Sequence, residues 1–238
     1  MLVAAGTSGF SYKEWQGTFY PQKLPASRML EFYAERLGTV ELNNTFYRMP
    51  NEALIRGWNE RTPRHFRFVL KAPRQMTHIR KLLDCTDALA RFTAVAAILG
   101  EKLGPFLFQL PPTFQRDVPR LEAFLSALPR GFRAAFEFRH PSWFDAATYT
   151  ALRAHGVALC RADVDDQETM DLVTTADFGY LRLRRENYTE AEIATWAERI
   201  RAQPVREMYV FFKHEVRAPA LALALTGHFP QEQPPDQS

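Results

Sequence analysis

Short apolar runs alternate along this chain with stretches whose apolar residues recur on one helical face. Eight runs are rich in β-branched or aromatic residues: Leu2 to Thr7, Thr39 to Asn43, Phe66 to Lys71, Phe106 to Gln109, Phe132 to Phe138, Val157 to Arg161, Gly179 to Leu183 and Met208 to Lys213. Their starts lie about 29 residues apart on average, the length of one strand, one helix and two short loops. Between them, Leu30, Tyr33, Ala34 and Leu37 share a face and Gly38 stops the helix. Leu89, Phe92, Ala96 and Leu99 repeat the pattern before Gly100. Pro119 fits a first helical turn ahead of Leu121, Phe124, Leu125 and Leu128, and Pro129 closes that helix. Thr189 and Glu192 form a capping box for Ile193, Trp196, Ala197 and Ile200. Residues 164–177 carry no helical stripe, so the helix between strands six and seven is expected to be weak or missing.

No linker separates two cores, and no glycine-rich dinucleotide fingerprint follows the first strand. The expected fold is therefore α/β, a single (β/α)8 TIM barrel over residues 1–229 with a frayed tail at 230–238. Gly6, Thr7, Ser8 and Gly9 resemble a phosphate loop only superficially, because neither a Lys-Ser/Thr ending nor an immediate helix follows. No cofactor is expected.

In such a barrel the functional side chains sit at the C-terminal ends of the strands, and successive residues point alternately to the lumen and to the helices. Assigning the bulky apolar residues to the helix layer sends Glu41 and Asn43, Lys71, Gln109, Glu137 and Arg139 to the lumen. The same count sends Arg161 and Asp163 of strand six, Arg182 and Arg184 of strand seven and Lys213 of strand eight there. Deeper positions of that phase are apolar, among them Val69, Leu107, Ala135 and Leu159. Cys160 falls out of phase and reads as a core residue.

The chain of 238 residues is 46% hydrophobic and carries a formal net charge of +3, which argues against wholesale wrapping of nucleic acid. Only six of its 30 basic residues are Lys, so planar Arg donors dominate. The polar positions assigned to the mouth hold six cations against three carboxylates, and a small anionic ligand is expected there. Tyr12 and Trp15, with Phe10, Phe19 and Tyr20, load the first loop with aromatic rings that either stack on a ligand or pack as a lid over the rim. His140 and His214 adjoin mouth positions and with Glu41, Glu137 and Asp163 offer metal-ligand chemistry, but the neighbouring cations oppose a divalent ion and no metal is assigned. Cys85 and Cys160 are too few for a disulfide framework and lack zinc-site spacing. No signal peptide or membrane span is apparent, so a soluble cytoplasmic protein without membrane partners is expected, its oligomeric state undetermined.

Five stretches also carry a family resemblance: GTSGFSYKEWQGTFY from Gly6 to Tyr20, VELNNTFY from Val40 to Tyr47, FVLKAP from Phe68 to Pro73, GPFLFQLPP from Gly104 to Pro112 and FEFRHPSW from Phe136 to Trp143. With these the chain resembles the YecE-like family, a domain of unknown function similar to TIM barrels, over residues 4–226. The resemblance implies the fold and attaches no activity. Two departures make this chain more basic: LRLRR stands at Leu181 to Arg185 where many relatives look like Arg-Phe-His-Gly, and Lys213, His214 and Glu215 replace an Asn pair.

Three functions remain open on the sequence. One is an enzyme acting on a small phosphorylated or carboxylated substrate, with the Arg and Lys side chains as anion clamp and Glu137, ahead of Glu41, as acid/base. The second is a non-catalytic or nucleic-acid processing module that binds single strands or a flipped base. A metal-dependent hydrolase or isomerase is the third. Glu137 is expected to stay ionised among the cations, either as a base or as an orienting partner of Arg139 or Lys71.

Overall fold

The computed structural model describes residues 1–165, 171–213 and 215–229; the expected tail at 230–238 and His214 lie outside the described residues. Eight strands form the barrel: β1 (Leu2–Ser8), β2 (Thr39–Leu42), β3 (Arg67–Lys71), β4 (Leu103–Gln109), β5 (Ala134–Glu137), β6 (Ala158–Asp163), β7 (Phe178–Leu183) and β8 (Glu207–Phe212). Every neighbouring pair is parallel, and the sheet closes where Leu2 to Thr7 of β1 register with Glu207 to Phe212 of β8. This is the expected TIM-barrel fold. β4 starts earlier than its apolar run, at Leu103, and β5 is trimmed at both ends to Ala134–Glu137.

The helices are α1 (Met29–Ala34), α2 (Asn44–Tyr47), α3 (Glu52–Glu60), α4 (Thr86–Ala96), α5 (Val118–Ser126), α6 (Ala146–Ala154), α7 (Glu190–Arg201) and α8 (Ala218–Gly227). α2 is a single turn in the loop after β2, and the others cover the barrel. The start signals work as the residue chemistry dictates. Asp117 and Asp145 cap α5 and α6 by accepting from the backbone N–H of Arg120 and Thr148, and the Thr189–Glu192 capping box opens α7. Between β6 and β7 no helix occurs among the described residues.

Two buried clusters follow from the strand alternation. Outside the sheet, aromatic side chains such as Phe66, Phe68, Phe106, Phe108 and Phe136 pack under the helices. Inside, Val69, Leu107, Ala135, Ala158, Cys160, Phe178, Tyr180, Tyr209 and Phe211 fill the lumen, as the layered interior of such barrels requires. In that plug Tyr209 stacks with Tyr180 and Phe211 while Tyr180 and Phe211 meet at a tilt, with centroids 5.4 to 6.5 Å apart. Gly6 serves this packing: a Cβ there would stand 2.1 Å from the carbonyl oxygen of Thr39, so only glycine lets β1 lie against β2.

The residues that fill the lumen correct the strand-six assignment. Parallel register pairs Cys160 with Tyr180, Arg161 with Leu181, Ala162 with Arg182 and Asp163 with Leu183, and laterally paired residues share a face. Cys160 therefore points inward, while Leu159, Arg161 and Asp163 point to the helix layer. The reason is the gap in that layer. With no helix between β6 and β7 among the described residues, the outer face of β6 tolerates charge toward its C-terminal end, and the lumen opposite the large rings of β7 and β8 takes small residues.

Candidate functional site

The C-terminal mouth is built around Arg182. It is 2% exposed and spans two carboxylates, donating from Nη2 to Glu41 at 2.8 Å and from Nη1 to Glu137 at 2.6 Å. Glu41 is fully buried; its Oε1 also accepts from Ser8 at 2.8 Å and Asn43 at 3.1 Å, and its Oε2 from the Tyr180 hydroxyl at 2.7 Å. Glu137 accepts on Oε1 from Gln109 at 2.7 Å and from Arg139 at 3.1 Å. Gln109 turns its own oxygen to Lys71 Nζ at 2.8 Å, and that ammonium lies 4.2 Å from the centre of the Phe46 ring. β1, β2, β3, β4 and β5 thus each send one side chain into a continuous hydrogen-bonded layer, and β7 sends two, Tyr180 and Arg182. On β3, β4 and β5 the polar residue stands one repeat above an apolar lumen position, Val69, Leu107 and Ala135.

The electrostatics follow from burial set against charge. Burial alone would raise the carboxyl pKa of Glu137, but Arg182, Arg139 and the Gln109 hydrogen bond outweigh it and bring it down to about 2. Glu41 is held below the usual carboxylate range by the same contest, in which Arg182, Tyr180 and Ser8 overcome desolvation. Lys71 moves the other way for a cation. Burial and the proximity of Arg182 lower its pKa to about 8, against the opposing pull of Glu41 and Glu137. Burial, then Arg182, also lowers that of Arg184.

Of the residues expected at the mouth, Glu41, Asn43, Lys71, Gln109, Glu137, Arg139, Arg182 and Arg184 are brought together there. Lys213 stands at the rim beyond β8, paired with Glu215 at 2.7 Å. Arg161 and Asp163 are not there: the Arg161 guanidinium lies 4.7 Å from the Phe144 ring, and Asp163 accepts from Arg185 and Tyr188 at 2.8 Å each on the outer face. Trp15 is also corrected. It is 0% exposed, packs against Tyr12, Phe19 and Tyr20, and spends its indole N–H on the carbonyl of Glu215, so the first loop is a packed rim and this ring meets no ligand. Tyr12 stays partly exposed, donates to the Ser8 carbonyl at 2.7 Å and feels both Glu41 and Arg184.

Ser8, Tyr180 and His78 belong to the site and were missed in the sequence. Strand alternation through Gly6 and through Arg182 would have found the first two. His78 follows β3, meets Phe46 edge-on at 4.9 Å and has its pKa lowered by burial and then by Lys71; no local pattern announces it. Among the described residues no three His, Cys, Asp or Glu side chains gather as a metal site, and no helix is long and apolar enough to cross a membrane.

After removal of the strand-six pair, five cations and two carboxylates share the mouth. Such a site on an eight-stranded parallel barrel defines a TIM-barrel protein with a basic, buried polar network at its C-terminal face. The chain belongs to the family described as "Protein of unknown function DUF72", which it matches over residues 4–237. It is 37% identical over 116 residues to the UPF0759 protein YecE of Escherichia coli strain K12, covering 48% of this chain and 43% of that protein. It is 30% identical over 157 residues to the UPF0759 protein YunF of Bacillus subtilis, covering 62% and 54%. The matched segments thus span about half the length of these relatives. Among solved structures, a DUF72 family protein of Thermotoga maritima superposes with a TM-score of 0.83 at 30% identity, over 95% of this chain and 98% of that one. A DUF72 family protein of Enterococcus faecalis gives 0.78 at 19% identity, over 98% and 100%, and supports the fold alone.

Proposed function

We propose that the barrel mouth binds a small anionic ligand, phosphorylated or carboxylated, and that Lys71, Arg139 and Arg184 are its clamp. The observation that carries this is how the charges are divided. Arg182 occupies both carboxylates, whereas among the described residues Arg184 and Lys71 have no carboxylate within ion-pair distance. Buried or half-buried cations without a counter-ion are costly, and an incoming anion removes that cost. Arg139 is exposed at the rim and is electrostatically coupled to both Lys71 and Arg184, so the three act on one space.

Glu41 and Glu137 hold Arg182 and orient Arg139 and Gln109 within this reading. A carboxyl group with its pKa near 2 is a weak proton acceptor at neutral pH, so proton transfer belongs with Lys71 rather than with the carboxylates. The test is a thermal-melt panel of phosphate, phosphorylated metabolites and carboxylates. A ligand bound only by the folded state at 100 times its dissociation constant adds about 2.7 kcal/mol, roughly 5 to 10 °C for a chain of this size. A flat panel overturns the proposal. A salt titration separates it from binding of single-stranded nucleic acid, since several phosphate contacts give a steep loss of affinity with salt and one small anion a shallow one.

A further inference from the structure

Lys71 differs from the other mouth cations in what holds it. Its Nζ donates to the amide oxygen of Gln109, and it has no carboxylate in ion-pair contact among the described residues. The orientation of that amide is fixed from the far side, because Gln109 Nε2 donates to Glu137. A neutral acceptor takes a hydrogen bond from an ammonium and, more weakly, from an amine. Loss of a proton from Lys71 therefore breaks no ion pair, and the amine can keep one N–H on Gln109 while its lone pair stays free. Phe46 covers one side of the group, and Lys71 is 8% exposed, so it is shielded with only a small part of its surface in contact with solvent. Charged groups face it from every side: Glu41 on β2, Glu137 on β5, Arg182 on β7, Arg139 beyond β5 and His78 in the segment after β3.

We propose that Lys71 is a carbonyl-trapping amine that forms an imine with a small anion bearing an aldehyde or ketone, held by Arg139 and Arg184. This deepens the anion-site reading above and rests on it. Desolvation beside another cation is a recognised way to make a lysine nucleophilic at neutral pH, and both conditions are met here by burial and by Arg182. In the step itself the Lys71 lone pair attacks the carbonyl carbon. The nitrogen gives up a proton as the carbonyl oxygen gains one. The carbinolamine then loses its hydroxyl, protonated, as water to leave an iminium. Counted from the ammonium, one ammonium and one carbonyl give one iminium and one water, with charge conserved and no redox partner required. The 2-oxo acids and the phosphorylated aldehydes and ketones share this chemistry.

The experiment incubates the full chain with pyruvate, glyoxylate or dihydroxyacetone phosphate in the presence of cyanoborohydride, and maps the reduced adducts by peptide mass spectrometry. The chain has only six lysines, so Lys13, Lys23, Lys81, Lys102 and Lys213 are internal controls. Lactate and glycerol 3-phosphate, which lack an aldehyde or ketone, report anion binding alone by thermal melt. The proposal expects an adduct on Lys71 formed at least about tenfold faster than on any control lysine, and the mass of the better adduct distinguishes an oxo acid from a sugar phosphate. Lys71→Arg should lose the adduct. Uniform labelling of all exposed lysines overturns the imine, as does a melt shift with no adduct at Lys71, which leaves the anion site standing. No melt shift with any of the five compounds, and no adduct, overturns both.

Discussion

Replacing Arg182 by Met tests the buried network most severely. The guanidinium is 2% exposed and is the ion-pair partner of Glu41 and the shorter of two for Glu137, at 2.8 and 2.6 Å. Methionine fills most of the volume, so the principal loss is charge. Removing one partner of a buried pair costs about 3 to 5 kcal/mol because the other charge is left uncompensated, and here Glu41 keeps only its hydrogen bonds from Ser8, Asn43 and Tyr180, while Glu137 keeps Gln109 and the rim contact with Arg139. For a chain of this length that is a fall of roughly 6 to 20 °C in melting temperature at pH 7. The pH dependence has a defined sign. In the native protein Glu137 has its folded pKa lowered from 4.5 to about 2, and Glu41 is lowered too, so their contribution is complete above 4.5 and is lost as pH falls toward 2. Without Arg182, burial is the dominant influence on both carboxyls and raises them, so the variant gains stability as pH falls from 7 toward 4.5. Urea denaturation at pH 7 and at pH 4.5 should show the gap between the two proteins narrowing on acidification. A gap that is below about 1 kcal/mol, or equal at both pH values, refutes the network as described.

Three further outcomes follow. Arg184→Gln should weaken binding of whichever anion shifts the melt by at least about tenfold, read by calorimetry, while the unliganded melting temperature stays within a few degrees, since Arg184 makes no ion pair among the described residues. Glu137→Gln should lower stability and, by removing an anion that raises the Lys71 pKa, shift the midpoint of the adduct-formation rate below pH 8; a midpoint unmoved or raised contradicts the electrostatic arrangement. Arg161→Leu should leave anion affinity within about twofold of the native value, because the side chain faces the helix layer; a large loss would return strand six to the lumen.

Most of the barrel was legible because Phe, Leu and Val on β2, β3, β4 and β5 mark the helix-facing side without ambiguity, and the polar residue of the opposite phase then has one place to go. Strand six is where this fails. In ALCRAD the polar Arg161 and Asp163 share the phase of the apolar Leu159 and the opposite phase holds only the small Ala158, Cys160 and Ala162, and the rule that outward positions are the bulky apolar ones depends on a helix to cover them. The weak helical signal after β6 and the misassigned Arg161 and Asp163 therefore share one cause. Trp15 was ambiguous for another reason: ring packing and ligand stacking use the same residues, and only the contact of its N–H with the Glu215 carbonyl, 200 residues away in sequence, decides between them. The division of charge inside the mouth was also out of reach. Composition at the strand ends gave a surplus of cations, but which of them the carboxylates occupy is a matter of side-chain geometry.

The most direct measurement is crystallographic location of selenate by its anomalous scattering. The account predicts a peak at the barrel mouth within hydrogen-bond distance of Lys71 Nζ and the Arg184 guanidinium, lost in Arg184→Gln. Selenate found only on the outer surface, or a mouth empty at concentrations that saturate other sites, would contradict it.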